Sequence, residues 1–316
     1  MPPRLTITVL GSGTSHGIPM IACDCPVCTS PDPRDKRTRA SVAIAIGGAE
    51  GGRDETGDAE HAESSTPPPD QGRGVPAYGR VPTILIDTSP ELRLQCLANG
   101  IRRVDAVLYT HHHIDHIAGL DDLRRFNDLQ QGVIPCFGLA ATTQRLRAVF
   151  AYAFEEDPDY PSTKPHLTLH EVSGSFDLPL EASPPRRPMS GAADKGLPNK
   201  QVESAIRITP IPLLHGHLPI LGFRIGDFAY CTDASEIPAG SWPLLEGLDV
   251  LVLNALRRRR HPTHFNLEQA VEHAVRIAAK RTYFTHIAHE LLHETTNRGL
   301  PEGMALAHDG LVIRST

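Results

Sequence analysis

Residues 108–119 read Leu-Tyr-Thr-His-His-His-Ile-Asp-His-Ile-Ala-Gly and follow an apolar run over 104–109 that is typical of a buried strand. Four metal-type side chains fall within six residues of this stretch: His111, His113, Asp115 and His116. Side chains alternate along a straight strand, so the four can converge only where a strand turns into a helix. We predict that the first two bind one cation and the last two bind a second cation roughly 3.5–4 Å away. The alternative is a polar loop whose histidines have no metal-binding role. It is disfavoured because ionisable groups without partners rarely cluster beside an apolar strand.

Length and composition favour a globular protein with a substantial core. The chain has 316 residues, of which 40% are hydrophobic and 22% are charged. Its net charge of −6 argues against general nucleic-acid binding, which usually requires a basic face. The sequence shows no secretory signal pattern and no apolar run long enough for a membrane span, so a cytoplasmic location is expected by default.

The six cysteines divide into two groups. Three are scattered and are expected to be buried small hydrophobes: Cys96, Cys136 and Cys231. The other three form a Cys-x-Cys-x2-Cys cluster: Cys23, Cys25 and Cys28. Three such thiolates can bind one structural Zn²⁺ if a fourth ligand arrives, and the alternative is free thiols in a loop. We expect His289 to be that ligand, because it lies one helical turn beyond His286 and would point to a different place.

Further candidate residues stand at the ends of other predicted elements. They are His215 after a strand over 209–214, Asp233 after a strand over 227–232, His286 after a strand over 281–285, and His264 before a helix over 266–279. A carboxylate at a strand end, as at Asp233, can bridge two cations with its two oxygens, and the alternative is a helix N-cap. His264, as a free imidazole near pH 7, could protonate a departing alkoxide, and the alternative is a surface histidine.

Two segments lack the composition of a packed core. Residues 47–80 contain eight glycines and four prolines but no Leu, Ile, Met, Phe or Trp, and residues 182–203 are similarly rich in proline. Such segments bury too little apolar surface to offset the entropy of ordering them. We therefore predict one domain over 1–316 that carries two low-complexity insertions.

Taken together, the motifs resemble those of the metallo-β-lactamase superfamily of binuclear hydrolases. Within it, the match is to the phosphoribosyl 1,2-cyclic phosphate phosphodiesterase family of the carbon–phosphorus lyase pathway. The resemblance rests on Leu-Gly-Ser-Gly-Thr-Ser-His-Gly at 10–17, the cysteine cluster with His289, His-x-His-x-Asp-His at 111–116, His215-Gly, Thr-Asp233, His264 and Thr-His286. It implies an α/β fold of the αββα type, in which two mixed sheets are flanked by helices. It also places Asp87 beside the metal site as a supporting carboxylate, and family members are often homodimers.

The resemblance and the ligand pattern together predict a mechanism of phosphodiester hydrolysis. One cation would be held by His111, His113 and His215, the other by Asp115, His116 and His286, with Asp233 between them. The cations would be Zn²⁺ or Mn²⁺, both of which suit imidazole and carboxylate ligands. A water shared by the two cations would attack the phosphorus of a small, cyclic phosphodiester, with His264 and Asp115 as the catalytic groups.

Three other functions fit parts of the same pattern. A tRNA 3′-processing endonuclease resembles this core, but neither insertion offers the basic arm that would bind RNA. A thioester or lactone hydrolase could use the same cations. A non-catalytic accessory protein stabilised by the cysteine-bound zinc is a further alternative, and the complete set of active-site ligands argues against it.

Overall fold

The computed structural model describes residues 4–47, 81–155, 162–180 and 204–315. Within these residues fourteen strands form two sheets of seven strands each. In chain order the strands are β1 (Leu5–Gly11), β2 (Ser41–Ile46), β3 (Thr83–Ile86), β4 (Ala106–Leu108), β5 (Ile134–Gly138), β6 (Leu167–Glu171), β7 (Phe176–Leu180), β8 (Ser204–His215), β9 (Leu218–Ile225), β10 (Phe228–Cys231), β11 (Val250–Asn254), β12 (Arg281–Thr285), β13 (Met304–Leu306) and β14 (Val312–Arg314).

The helices lie between and after the strands. They are α1 (Leu92–Ala98), α2 (Ile114–Ile117), α3 (Arg124–Gln130), α4 (Ala140–Val149), α5 (Ala151–Phe154), α6 (Leu267–Ile277) and α7 (His293–Asn297). The start of α6 is fixed by a capping box, in which the Asn266 side chain accepts from the Gln269 amide and the Gln269 side chain accepts from the Asn266 amide. None of the helices in the described ranges is both long and apolar enough to cross a membrane.

Both sheets combine parallel and antiparallel pairs. The first sheet has the order β14-β1-β2-β3-β4-β5-β6 and the second has the order β13-β12-β11-β10-β9-β8-β7. Neighbours from β3 to β6 and from β10 to β13 are parallel, whereas the other pairs are antiparallel. The carboxyl ends of parallel strands meet at one edge of a sheet, which is where layered folds usually place their sites.

Three apolar layers hold the sandwich together. Side chains such as Ile44, Ile84 and Phe223 are completely buried between the two sheets. Helices α1, α3 and α4 cover the outer face of the first sheet, and α6 covers the outer face of the second through Ala270 and Ala274. The predicted αββα architecture is therefore confirmed.

The sequence also predicts helices over 120–129 and 141–154, and both differ from the structure. The helix expected over 120–129 begins as a 3₁₀ turn over 118–123, and α3 follows it. The helix expected over 141–154 is divided at Phe150, whose backbone is not helical and whose side chain is buried. The predicted insertions over 47–80 and 182–203 lie outside the described residues, apart from Gly47, so the single-domain assignment stays a prediction.

Candidate active site

The histidine-rich stretch lies where β4 ends and α2 begins. His113 is the N-cap residue of α2, so the chain turns from strand to helix within the motif, as predicted. The ring nitrogens Nε2 of His111 and Nδ1 of His113 lie 3.0 Å apart. His111 is buried and His113 is exposed, so the pair extends from the interior to the surface.

His215 joins these two residues to form a first group of candidate ligands. The ligand atoms of His111, His113 and His215 all lie within 4.8 Å of one another. Nδ1 of His215 lies 2.6 Å from the carbonyl oxygen of Thr263, to which it donates. This bond fixes the proton on Nδ1 and leaves Nε2 of His215 free for a cation.

Asp115, His116 and His286 form a second group, again within 4.8 Å. Nε2 of His116 and both ring nitrogens of His286 are buried and have no well-aligned hydrogen-bond partner among the described residues. Buried nitrogens of this kind normally have a partner. A divalent cation fits here, because it would be the missing partner of Nε2 of His116 and of Nε2 of His286.

Asp233 lies between the two groups. Its Oδ2 is 3.3 Å from Nε2 of His116 and its Oδ1 is 3.1 Å from Nε2 of His286. It also forms a compact set with His111 and His116. Asp233 therefore contacts His116 and His286 of the second group and lies within 4.8 Å of His111 and of His215 of the first, which is where a bridging ligand would lie.

The charges of the site suit cation binding. Burial alone would raise the pKa of Asp233, but the imidazoles of His286 and His116 lower it well below its usual range. Burial lowers the pKa of His111 well below its usual range, so that ring is neutral at pH 7. Burial also acts to lower the pKa of His116, but the surrounding carboxylates, led by Asp233, raise it well above its usual range. The carboxylates thus hold a proton on His116 that a cation would replace.

His264 lies beside the same groups. Its ring centroid is 4.5 Å from that of His215 and 4.8 Å from that of His286, and its Nδ1 is 3.8 Å from Oδ1 of Asp233. Burial and the neighbouring His286 lower the pKa of His264 to about 2. The ring is therefore neutral in the substrate-free site, and a proton-donating role requires the negative charge of a bound substrate.

Comparison with known proteins agrees with this geometry. Residues 82–287 match the beta-lactamase superfamily domain. The crystal structure of a new diphosphatase from the PhnP family is 37% identical, covers 98% of this chain and 97% of its own, and superposes with a TM-score of 0.73. The chain belongs to the metallo-β-lactamase superfamily. The similarity to a diphosphatase over nearly the full length supports a metal-dependent hydrolase.

Two further relatives are similar over nearly the whole of this chain but at lower sequence identity. An octanoyltransferase from Porphyromonas gingivalis is 33% identical over 96% of this chain, but the chain spans only 50% of its length. Zn²⁺-bound PqqB from Methylobacterium extorquens is 17% identical with a TM-score of 0.62 over 98% of this chain, and shows the fold alone. The superfamily fold implies divalent cations at the strand ends described above.

Three residues around the superfamily site adopt left-handed backbone. Asp87, Asp233 and His286 have φ values of 63°, 60° and 56°. Asp87 and His286 directly follow β3 and β12, and Asp233 lies two residues after the end of β10. The Asp87 carboxylate accepts from Nδ1 of His116 at 2.7 Å and from the amide and hydroxyl of Thr110 at 2.8 Å each. It therefore orients His116, as expected of a supporting carboxylate.

Asn254 supports the opposite side of the site and was not predicted from the sequence. Its side chain accepts from the Ala234 amide at 2.7 Å and donates to the Ala234 carbonyl at 3.0 Å, and both residues are completely buried. These two bonds hold the backbone directly after Asp233. The only signal in the sequence is a polar residue that ends an apolar strand, which is too common to identify such a role.

The structure brings the three cysteines of the cluster together with His289. The Sγ atoms of Cys23, Cys25 and Cys28 lie 3.2, 3.4 and 3.9 Å from Nδ1 of His289. His289 lies in a turn and not in a helix, so the prediction of a helical turn after His286 is wrong. The rings of His286 and His289 nevertheless belong to different candidate metal sites. Burial acts against ionisation of Cys25, but the Cys28 amide and the neighbouring thiols lower its pKa to about 6, whereas burial raises the pKa of Cys28 to about 11.

The loop after β1 connects the cysteine cluster to the last active-site loop. The Thr14 amide donates to the Ile287 carbonyl and the Ile287 amide donates to the Ser12 carbonyl. Asp309 fixes this loop by accepting from the amides and hydroxyls of Ser12 and Thr38, at 2.6–2.9 Å. The loop is thus a structural turn. The three scattered cysteines are buried as predicted: Cys96, Cys136 and Cys231.

Proposed function

We propose that the protein is a binuclear, metal-dependent phosphodiesterase whose substrate is a small, cyclic phosphodiester. The observation that carries this proposal is the pair of three-ligand groups with Asp233 between them. The similarity over nearly full length to a diphosphatase supports phosphorus as the atom attacked. Two adjacent cations also match the needs of a phosphodiester, whose attacking and leaving oxygens both develop charge.

Each group of residues has a distinct part in this proposal. One cation would be held by His111, His113 and His215, the other by Asp115, His116 and His286, with Asp233 shared. Bound Zn²⁺ or Mn²⁺ would lower the pKa of water and draw charge from the phosphoryl oxygens. The Cys23, Cys25, Cys28 and His289 cluster would hold a structural Zn²⁺.

His264 and Asp115 act on protons in this proposal. A phosphodiester anion beside His264 would raise the pKa of its ring, which allows it to carry a proton to the departing oxygen. His116 lowers the pKa of Asp115 against the effect of burial, so Asp115 stays ionised and can bind a cation or accept a proton. Substitution of His264 by alanine should therefore slow hydrolysis of a diester with a poor leaving group and leave the metal content unchanged.

The test uses metal analysis and activity on the same preparations. The purified protein should contain about three divalent ions per chain, whereas an accessory protein with only the cysteine site would contain about one. His215→Ala should lose one active-site ion and hydrolysis of a cyclic phosphodiester. His217→Ala is the matched control, because His217 is exposed, lies in the same turn and belongs to no ligand group. Equal loss in both variants, or full activity of His264→Ala, would contradict the assignment.

A second candidate function, thioester hydrolysis, is favoured by an apolar groove next to the site. The groove has a volume of about 250 Å³ and is lined by Leu139, Val172, Ser173, Pro210, Pro212, Leu213, Leu214, Pro219, Ile220, Leu221 and Pro238. It reaches the site through Leu214, which precedes His215, and Leu221, whose amide donates to the Thr110 carbonyl at 3.0 Å. The relative named octanoyltransferase gives the acyl group to test.

An S-octanoyl thioester and a cyclic phosphodiester should be compared on the same metal-loaded protein. Faster turnover of the thioester would favour the second candidate over phosphodiester hydrolysis. The predicted homodimer can be checked on the same sample by light scattering, in which a monomeric mass would count against it.

A further inference from the structure

The cysteine cluster is partly open to solvent, unlike the other thiols of the chain. Cys23 and Cys25 are half-buried, and Ile21 just before them is 98% exposed. The three scattered cysteines are buried: Cys96, Cys136 and Cys231. Redox-sensitive cysteines are accessible to solvent and stand next to a second thiol. A dissolved oxidant therefore meets the cluster before it meets the scattered cysteines.

Cys25 and Cys28 form a Cys-x-x-Cys pair on a single turn of the backbone. The Thr29 amide donates to the Cys25 carbonyl at 3.0 Å and closes that turn. The Cys28 amide donates to Sγ of Cys25 at 3.4 Å, and the two Sγ atoms lie within 4.8 Å of each other. Cys25 is half-buried and Cys28 is buried. An oxidant therefore reaches Cys25 first, while Cys28 lies close enough to act as the resolving thiol.

The cluster is attached to the last active-site loop through His289. Nδ1 of His289 faces the three Sγ atoms at 3.2–3.9 Å, and its carbonyl oxygen accepts from Sγ of Cys25 at 3.6 Å. Two residues separate His289 from His286, a member of the second ligand group. The amide of the first of them, Ile287, donates to the Ser12 carbonyl at 2.9 Å. The cluster thus fixes one end of the short segment that carries His286.

We propose that the cysteine cluster is a redox switch, in which hydrogen peroxide joins Cys25 to Cys28 in a disulfide and thereby weakens cation binding at His286. This inference rests on the structural Zn²⁺ and the active-site cation of the proposed function. Three sulfur atoms and one ring nitrogen within 4.8 Å are the ligand set of a structural Zn²⁺ site. After disulfide formation only Cys23 and His289 remain as ligands, which are too few to hold the ion. Without the ion the His289 ring is no longer fixed, and the segment that carries His286 is less well positioned.

The chemistry needs no reactant other than peroxide. The Cys25 thiolate attacks one peroxide oxygen, so that an S–O bond forms, the O–O bond breaks and hydroxide leaves. The Cys28 thiolate then attacks the sulfur of that sulfenic acid, so that the S–S bond forms, the S–O bond breaks and a second hydroxide leaves. The two sulfur atoms lose two electrons in total, and peroxide gains them. A thiol reductant restores both thiolates.

The test applies hydrogen peroxide to protein loaded with Zn²⁺ at the cysteine cluster and Mn²⁺ at the candidate active site. Released zinc is followed with a chromophoric chelator, the disulfide is located by peptide mass mapping, and Mn²⁺ affinity is measured by electron paramagnetic resonance. We expect release of about one zinc ion per chain, a disulfide between Cys25 and Cys28, and Mn²⁺ affinity lower by roughly tenfold or more. Dithiothreitol with added Zn²⁺ should reverse all three changes.

Two substitutions that keep four metal ligands provide the matched comparison. Cys25→His retains a zinc ligand but removes the Cys-x-x-Cys pair, so peroxide should release zinc roughly tenfold more slowly and leave Mn²⁺ affinity unchanged. Cys23→His retains both a ligand and the pair, so its response should match that of the unaltered protein. Cys96→Ala, at a buried thiol outside the cluster, should also respond normally. If either histidine variant fails to bind zinc, the position of the disulfide in the unaltered protein decides the question.

The outcomes separate this switch from the proposed function. A disulfide between other cysteines, zinc that stays bound, or zinc release without a change in Mn²⁺ affinity overturns the inference, as does equal zinc release from the two histidine variants. Hydrolysis of a cyclic phosphodiester is assayed on the same samples. A switch that responds as expected in a protein without hydrolysis overturns the proposed function alone, whereas hydrolysis in a protein whose cluster does not respond overturns the switch alone.

Discussion

Asn254→Ala tests whether the loop behind Asp233 is held as the structure indicates. The substitution removes both hydrogen bonds to Ala234, but the two backbone groups are affected differently. The Ala234 carbonyl also accepts from the Phe265 amide at 2.8 Å and so keeps a partner. Among the described residues the Ala234 amide has only the Asn254 oxygen as its acceptor, at 2.7 Å, so the substitution leaves it an unpartnered buried donor.

The expected cost follows from that difference. One orphaned buried amide costs about 1–3 kcal/mol, and the cavity left by the side chain adds about 1 kcal/mol. The free energy of unfolding of the metal-free protein should therefore fall by about 2–4 kcal/mol, measured by urea denaturation followed by circular dichroism. Affinity for an active-site cation should also fall, by roughly 10–100-fold, since the backbone of Asp233 is released.

Asn127→Ala provides the control for general destabilisation. Asn127 is also buried and bonds the backbone of Gly132 and His166 at 2.8–3.0 Å, but these residues lie outside the ligand groups. Its variant should lose stability while metal affinity stays unchanged. An Asn254 variant with unaltered unfolding energy, or with metal affinity equal to that of the Asn127 variant, would refute the reasoning.

Three further predictions concern other supports of the fold and the site. Cys25→Ser should remove about one metal equivalent per chain and lower the thermal midpoint, because serine is a poor zinc ligand; unchanged zinc content by mass spectrometry would count against the cysteine site. Asp87→Asn should weaken binding of one active-site cation by roughly 10–100-fold in a chelator competition, and equal affinity would deny Asp87 its supporting role. Asp309→Asn should lower the unfolding free energy by about 2–3 kcal/mol in urea, because an amide group would then face the donors of Ser12 or Thr38; a loss below about 1 kcal/mol would contradict this.

The layered fold and the grouping of the site residues could be predicted from the sequence, because the spacing of these residues relative to apolar strands carries local information. His111 to His116 follow an apolar strand, and Asp233 and His286 each end another, so a common edge could be inferred. The supports could not be inferred in the same way. Asn254 and Asp309 act on backbone groups 20 and more than 270 residues away in the chain, and no periodic pattern records such pairings.

The two errors in helix boundaries have a tertiary cause. Gly119 packs so closely against Ser89 that a Cβ would lie 2.1 Å from its carbonyl oxygen, and the chain there forms a 3₁₀ turn. Phe150 leaves helical geometry and is buried in the outer core. In both places tertiary packing determines the backbone conformation and overrides the local helical preference. A single sequence shows only that local preference.

The left-handed backbone at Asp87, Asp233 and His286 restricts how this centre can be redesigned. Asp, Asn and His tolerate that conformation better than other side chains, whereas β-branched or bulky residues are strained there. Exchanging the candidate ligands Asp233 and His286 to favour a different cation is therefore limited to a narrow choice of amino acids, and the same limit holds for Asp87, which orients His116. His113 has a φ of −67° and so carries no such restriction. Variants designed to alter metal selectivity should therefore change His113, the exposed candidate ligand, first.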